Sequence, residues 1–377
     1  MGSGRQSEAL RIGVVGAGLI AQAVHLPNLT ALSDRFTVAA IADPSRKVGG
    51  ALARKYVPAR SYLDWRDMLD REALDAVVVC SPHATHAEVV LDALDRGLHV
   101  FVEKPLCISV EDADEICARA VAAARVVQVG YMKRFSAAYE RFAAALPRSG
   151  LGLRLVDVVT YDPWMAREPF VPWGRMVHAD DVPDPVLEAV AASTRDQVER
   201  AVGSADPATV QAFSGTFLAC LVHDVNLVHG ALETMGVDRP AEALAGACWA
   251  DGTAATATLR LPGGAHWHCS WLLLDGLVEF RERVGLYFAD AVHELEFPAP
   301  YDFDAPVEHS IVDAPSGAAR ARVERLANHA YVAELEHFHD CVTGGVACRT
   351  PAEQAAKDLA VLRDVFVRQS LSTAASA

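Results

Sequence analysis

Gly16, Gly18 and Ala21 stand at the spacing G-x-G-x-x-A directly after the apolar run Ile12, Val14 and Val15. A short buried strand, a tight turn and the opening of a helix fit that spacing. Gly16 allows the turn, Gly18 lets a pyrophosphate approach the backbone with no Cβ in the way, and Ala21 lets the helix pack closely on the strand. Leu19 and Ile20 fall where the helix start offers unpaired N–H groups and a partial positive charge to phosphates. A second apolar run, Phe36 to Ala42, ends in Asp43, about where a carboxylate that accepts from a ribose 2'-OH belongs. Asp43-Pro44-Ser45 is equally a turn and helix-cap sequence. As a ribose ligand, Asp43 repels a 2'-phosphate and favours NAD, whereas Ser45, Arg46 and Lys47 close behind it could accommodate NADP.

Two further strand ends carry polar clusters: Cys80-Ser81-Pro82-His83-Ala84-Thr85-His86 and Glu103-Lys104-Pro105. Ligands of doubly wound sheets sit outside the carboxyl ends of the strands, which puts Ser81, His83, His86, Glu103 and Lys104 on the cofactor side. A lysine at such a place is otherwise a solvated charge. A third group lies in Trp164 to Met176, where Trp164 and Trp173 accompany Arg167 and Arg175. Sugar C–H faces pack on indole, and arginine offers a fork to carboxylate or phosphate, so this segment is expected to cover a decorated substrate. A surface elaboration or subunit contact is the plainer account of it. No metal site is expected: His266 and His268 share a strand face without further ligands, and His337 and His339 face different ways on a helix.

The elements that must position these residues follow from hydrophobic period. Helices are expected over Arg46–Lys55, Trp65–Leu69, Thr85–Arg96 and Val110–Ala124, and strands over Ala59–Tyr62, Ala76–Cys80, His99–Glu103 and Val126–Gly130. Continuous apolar strands between amphipathic helices mean parallel βαβ units covered on both faces. After a tail at residues 1–9, residues 10–134 therefore read as a doubly wound parallel domain. Residues 135–377 read as an α+β domain with a large, mainly antiparallel open sheet and an insertion at about 162–214. Its strands are expected over Leu155–Tyr161, Glu242–Trp249, Thr253–Leu261, Ala265–Leu273, Leu277–Phe288 and Val292–Phe297. Asp251-Gly252, Pro262-Gly263-Gly264 and Asp275-Gly276 supply the turns. A capped amphipathic helix is expected over Asp184–Val202, and closing helices around Glu324–Cys341 and Ala352–Arg368.

Composition bounds the partners. The chain has 377 residues, 51% of them hydrophobic, and 34 Lys+Arg against 49 Asp+Glu give a net charge of -15. That charge repels phosphate backbones and anionic lipid, so neither nucleic acid nor membrane is expected. The 8 cysteines form no C-x-x-C pair, which suits reduced thiols in a cytoplasmic protein. Met1 to Leu10 lacks a signal-peptide core, and no apolar run approaches membrane-spanning length.

Taken together, G-V-V-G-A-G-L-I-A, H-L-P-N-L at His25–Leu29, V-V-V-C-S-P-H-A-T-H, G-L-H-V-F-V-E-K-P-L, V-G-Y-M-K-R-F and E-L-E-H-F-H-D-C resemble the Gfo/Idh/MocA family (glucose-fructose oxidoreductase, inositol dehydrogenase, rhizopine catabolism). The resemblance implies a Rossmann domain, an open-sheet second domain, and NAD(P)-dependent oxidation or reduction of a sugar, cyclitol or nucleotide-sugar-like carbonyl compound. It makes Lys104 the active-site lysine of E-K-P, with a cis peptide to Pro105. His223 in Leu221-Val222-His223-Asp224-Val225-Asn226 becomes the catalytic histidine, on a helix expected over Thr216–Leu232, and Tyr131 and Asn226 become substrate neighbours. The family's carboxylate four residues before that histidine is Ala219 here. Asp224 is no direct substitute, since it points about 100° away on a helix. A homodimer or homotetramer through the open sheet is also implied. Two other readings of the same motifs are a cofactor-binding sensor without chemistry, and a lyase or glycosidase that retains its NAD.

Overall fold

The structure is a computed structural model that describes residues 9–150, 152–163, 171–237, 241–277, 279–314 and 318–374. Trp164 and Arg167 lie outside the described residues. Two compact units emerge: unit 1 is residues 1–130, 174–194 and 331–355, and unit 2 is residues 131–173, 195–330 and 356–377. The N-terminal unit thus takes in two stretches, 174–194 and 331–355, that the sequence reading assigned to the second domain.

Unit 1 is built on six parallel strands: β1 (Leu10–Val15), β2 (Phe36–Ala42), β3 (Arg60–Tyr62), β4 (Ala76–Val79), β5 (His99–Glu103) and β6 (Val127–Gly130). Their spatial order, β3-β2-β1-β4-β5-β6, is that of the Rossmann fold. β4 is buried at every residue, as a strand covered on both faces must be. The helices are α1 (Leu26–Ala31, preceded by a π-helical turn Ala21–His25), α2 (Arg46–Lys55), α3 (Trp65–Arg71), α4 (His83–Asp95) and α5 (Val110–Ala123). Ser45 and Ser109 cap α2 and α5 by accepting from Val48 N and Asp112 N. The core runs from Ile12, Val14, Ile41 and Val78 through Phe101 to Phe338. Phe338 comes from Ala330–Gly344, whose residues from Tyr331 onward belong to this unit.

Unit 2 opens with α6 (Ala137–Ala145) and holds an eight-stranded sheet: β7 (Leu153–Asp162), β8 (Glu242–Trp249), β9 (Ala254–Arg260), β10 (His266–Leu273), β11 (Arg281–Phe288), β12 (Ala291–Phe297), β13 (Val307–Asp313) and β14 (Arg320–Leu326). The order is β14-β13-β12-β11-β7-β10-β9-β8, antiparallel throughout except for β7 beside β10. The turns at Asp251-Gly252 and Pro262-Gly263-Gly264 close hairpins, but Asp275-Gly276 does not, because β7 lies between β10 and β11.

Arg320–Leu326, expected to begin a helix at Glu324, is the edge strand β14. Its arginines pair across to β13, Arg322 with Asp313 and Arg325 with Glu308, so a charge spacing that also suits a helix serves a cross-strand ladder. The remaining helices are α7 (Asp184–Val202), α8 (Pro207–Thr234), α9 (Ala330–Gly344) and α10 (Ala352–Ala374). α8 is continuous and π-helical over Gln211–Leu221. Against the expectation of no such run, α8 is long and apolar enough to cross a membrane, yet 72% of its apolar window is buried within the protein. Phe213 and Phe217 meet Phe366 of α10 edge-on at 5.1 and 5.0 Å, and His229 meets Trp267 of β10 at 5.7 Å.

Candidate functional site

The glycine turn of unit 1 divides its two glycines by role. Gly16 has φ +84°, and a Cβ there would come within 2.6 Å of the Ser81 backbone, so both conformation and space require glycine. A Cβ at Gly18 would meet no protein atom within 4 Å, and Gly18 is exposed. Nothing in the protein demands a glycine there; a ligand lying on the backbone would. Ala21 is fully buried against the sheet. The residues present therefore fit a dinucleotide pyrophosphate at the start of this helical segment.

Asp43 is 9% exposed and accepts from Ala17 N at 2.8 Å and Ser45 N at 2.9 Å. Burial pushes its carboxyl up, against these two amides that hold it down. Each oxygen keeps lone-pair capacity for a ribose hydroxyl. Beside it, Asp181 accepts from Ser45 Oγ and, at 3.0 Å, from Lys47 N, while Asp180 pairs with Lys47 Nζ at 2.7 Å. Hydrogen bonds from these partners pull both aspartates down. Gln22 further ties the same segment through Val177, accepting from its N–H and donating to its carbonyl, both at 3.0 Å. Arg46 is exposed. The strap 177–181, which follows the segment Trp164–Met176 expected to cover a substrate, thus lies along the α2 end of the nucleotide face.

At the ends of β4 and β5 the polar residues separate. Ser81 Oγ accepts from Thr85 Oγ1 at 2.7 Å. His86 is fully buried, with Nδ1 2.8 Å from the Pro105 carbonyl and Nε2 2.8 Å from the Ser81 carbonyl. It therefore joins the two strand-end loops rather than facing a cofactor. Burial pushes His86 down, and His83 well down, with Lys104 adding to both effects. Glu103, expected on the cofactor, is also turned inward: it is 7% exposed, and Oε1 lies 2.7 Å from His25 Nε2. Glu334 of α9, 0% exposed, faces the same region, and burial followed by Glu103 raises it well above the usual carboxylate range. Lys104 is half-buried, and its peptide bond to Pro105 is cis.

In unit 2 His223 lies edge-on to Tyr131, ring centroids 6.4 Å apart. Tyr131 is only 2% exposed, so it backs the histidine more than it offers itself to a substrate. Asn226, expected on the substrate, is fully buried, and its Nδ2 donates to Asp358 Oδ2 at 2.7 Å. The other oxygen of Asp358 lies 2.6 Å from His229 Nδ1. Three residues beyond His223, the helix has turned Asn226 into the core. Trp173 is half-buried in unit 2, whereas Arg175 is exposed in unit 1.

Sequence reasoning missed a buried ionisable cluster in unit 2. Lys133 Nζ pairs with Glu282, which is 1% exposed. Glu282 stands opposite Thr160 in the β11–β7 register, and Thr160 Oγ1 lies 3.5 Å from Asp224 Oδ2. Burial, then Glu282, raises Asp224 well above the carboxylate range, with Lys133 opposing. The same causes push Asp162 up to about 7. Burial and the neighbouring Glu282 thus favour the neutral forms of Asp224 and Asp162 over their carboxylates. The only sequence cue was Lys133 inside V-G-Y-M-K-R-F.

Residues 10–131 match the family described as "Oxidoreductase family, NAD-binding Rossmann fold". Inositol 2-dehydrogenase 3 of Saccharopolyspora erythraea is 35% identical over 152 residues, which are 39% of this chain and 43% of that protein. The match thus spans under half the length of the relative. UDP-N-acetylglucosamine 3-dehydrogenase GnnA from Acidithiobacillus ferrooxidans superposes with a TM-score of 0.69 at 18% identity, covering 96% of this chain and 98% of that one. The WlbA dehydrogenase from Bordetella pertussis, solved with NADH and UDP-GlcNAcA, gives 0.70 at 16% identity and 97% of each chain. The fold is therefore shared along nearly the whole chain, and residues 10–131 are similar to the NAD-binding Rossmann domain of the Gfo/Idh/MocA oxidoreductase family.

Proposed function

We propose that this protein transfers a hydride between a nicotinamide cofactor and a secondary alcohol or ketone of a sugar, cyclitol or nucleotide sugar. The observation that carries the reading is the carboxyl edge of the parallel sheet, where Gly18 opens its backbone, Asp43 closes β2 and Lys104 follows β5. The relatives support the substrate class: inositol 2-dehydrogenases, a D-glucoside 3-dehydrogenase and nucleotide-sugar dehydrogenases. When bound, the cofactor supplies the hydride acceptor or donor. This chain's residues supply the rest. Lys104 polarises the substrate oxygen and stabilises developing alkoxide charge, and His223 takes or returns the hydroxyl proton. Assay of cyclitols, free sugars and nucleotide sugars by reduced-nicotinamide absorbance tests the reading. Lys104→Ala and His223→Ala should each lower kcat by about 100-fold or more while NAD binding persists. Cofactor binding with no turnover of any of these classes would favour a sensor.

NAD is the preferred cofactor in this reading. Asp43 is supported here by Asp180 and Asp181, which occupy Lys47 and the Ser45 hydroxyl, the groups that could otherwise receive a 2'-phosphate. Asp180→Asn with Asp181→Asn should raise NADP affinity about tenfold relative to NAD; an unchanged ratio would leave Asp43 as the sole selector. We also propose a cytoplasmic homo-oligomer formed through the open sheet. The 8 cysteines without a C-x-x-C pair and the exposed Trp249, Val312 and Val323 support this, and light scattering tests the assembly.

A further inference from the structure

Unit 1 holds a group of side chains that dinucleotide binding does not use. His337 and Cys341 stand one helical turn apart on α9, and Cys348 lies in the segment that follows. Their Nε2 and two Sγ atoms lie within 4.8 Å of one another. Cys341 Sγ is 3.3 Å from His337 Nε2, and the two thiols are hydrogen-bonded to each other. We propose that Cys341 and Cys348 are a redox pair that closes to an intramolecular disulfide on exposure to a peroxide.

The alternative use of the same three atoms is a soft-cation site. Two observations weigh against it. The His337 Nε2 lone pair already accepts the Arg349 backbone N–H at 3.0 Å, which a cation would have to displace. Among the described residues the group also has three donors, one short of a closed tetrahedral site.

The pair is chemically asymmetric in the way a redox dithiol needs. The hydrogen bond from Cys348, with help from His337, pulls Cys341 down to about 5 despite its burial. The same bond, followed by burial, pushes Cys348 up. In this proposal Cys341, which lies against His337, is the nucleophile and Cys348 the resolving thiol. Cys341 is 4% exposed and Cys348 half-buried, so a small oxidant is the suitable one. In the first step the Cys341 sulfur, its proton released to solvent, attacks one peroxide oxygen, the O–O bond breaks, and the departing hydroxide takes up a proton and leaves as water, with a sulfenic acid remaining on Cys341. In the second, Cys348 sulfur attacks the Cys341 sulfur, the S–O bond breaks, and a second water leaves. Two thiols are oxidised to one disulfide while one peroxide is reduced to two waters.

The disulfide also reaches the sheet. Cys348 precedes Thr350, whose carbonyl accepts from Val129 N at 2.9 Å and whose hydroxyl donates to Val129 O at 2.8 Å. Pro351 bridges to Gln128, so this segment seals β6. Drawing Cys348 onto Cys341 moves that seal, which couples thiol state to the last strand of the nucleotide-binding sheet. The coupling, unlike the disulfide itself, rests on the NAD-binding reading.

The test treats the reduced full-length protein with one equivalent of hydrogen peroxide, followed by alkylation and peptide mapping. The expected product is a peptide linked through Cys341 and Cys348, formed at least tenfold faster than oxidation at any of the other six thiols and reversed by dithiothreitol. Cys348→Ser should leave Cys341 trapped as a dimedone adduct. Titration of NAD into the reduced and oxidised wild type then reads the coupling separately. Oxidation at Cys341 no faster than elsewhere would overturn the proposal. So would one equivalent of zinc in the purified protein that shields both thiols from alkylation.

Discussion

In unit 1 the polar atoms that matter are backbone amides at a turn, set by residues within a few positions of one another: Gly16, Ala17, Gly18 and, beyond one strand and helix, Asp43. In unit 2 they are side-chain charges drawn from distant parts of the chain, Lys133 to Glu282 and Thr160 to Asp224. The first kind opens to solvent at Gly18 and awaits a ligand's charge. The second has lost its water and must balance its own charge within the protein. The two sites should therefore fail differently: the turn by losing ligand affinity, the cluster by losing the fold.

The largest effect expected is in the cluster. Lys133→Met leaves Glu282 buried beside Asp162 and Asp224 with no cation, which should cost about 3–5 kcal/mol in urea unfolding. A loss below about 1 kcal/mol would show that the carboxyls were neutral without the lysine. Next comes the glycine pair, which separates fold from ligand within one turn. Gly16→Ala forces a left-handed alanine against the Ser81 backbone and should cost about 1–3 kcal/mol from conformation alone. Gly18→Ala should leave the melting temperature unchanged and weaken dinucleotide binding about tenfold or more, because only a ligand meets its Cβ. Equal destabilisation by both would erase the distinction.

pH dependence spreads its effect over several units. Asp162, pushed up to about 7, keeps in the folded protein a proton that the unfolded chain releases near its ordinary value of 3.8. Between those values the folded state binds more protons, so stability falls as pH rises, by up to about 1.4 kcal/mol per unit. Denaturation midpoints should decline from about pH 5 to about pH 7, more steeply than in Asp162→Asn. A midpoint that rises across this window would place the titration on another group.

The cofactor half of the site was legible because its information is local. A strand, two glycines and a small residue at fixed spacing specify a turn whatever the rest of the chain does, and Asp43 and Lys104 are read from the strands they terminate. Tertiary structure decided which neighbouring polar groups face outward. Glu103, His86 and Asn226 have the chemistry of ligands, but His25, two backbone carbonyls and Asp358 claim them. No pattern within either segment announces such partners. The same holds for the strap 177–181, placed by carboxylates on Ser45 and Lys47, and for Arg320–Leu326, whose helix-like charge spacing became a strand once Asp313 and Glu308 stood opposite. Sequence by itself determined what backbone sterics and hydrophobic period dictate: the parallel sheet, its glycine turn and the alternation of the second sheet. Only the fold determined which buried charges meet, because that depends on contacts between residues tens to hundreds of positions apart, each meaningful only once both have been taken out of water.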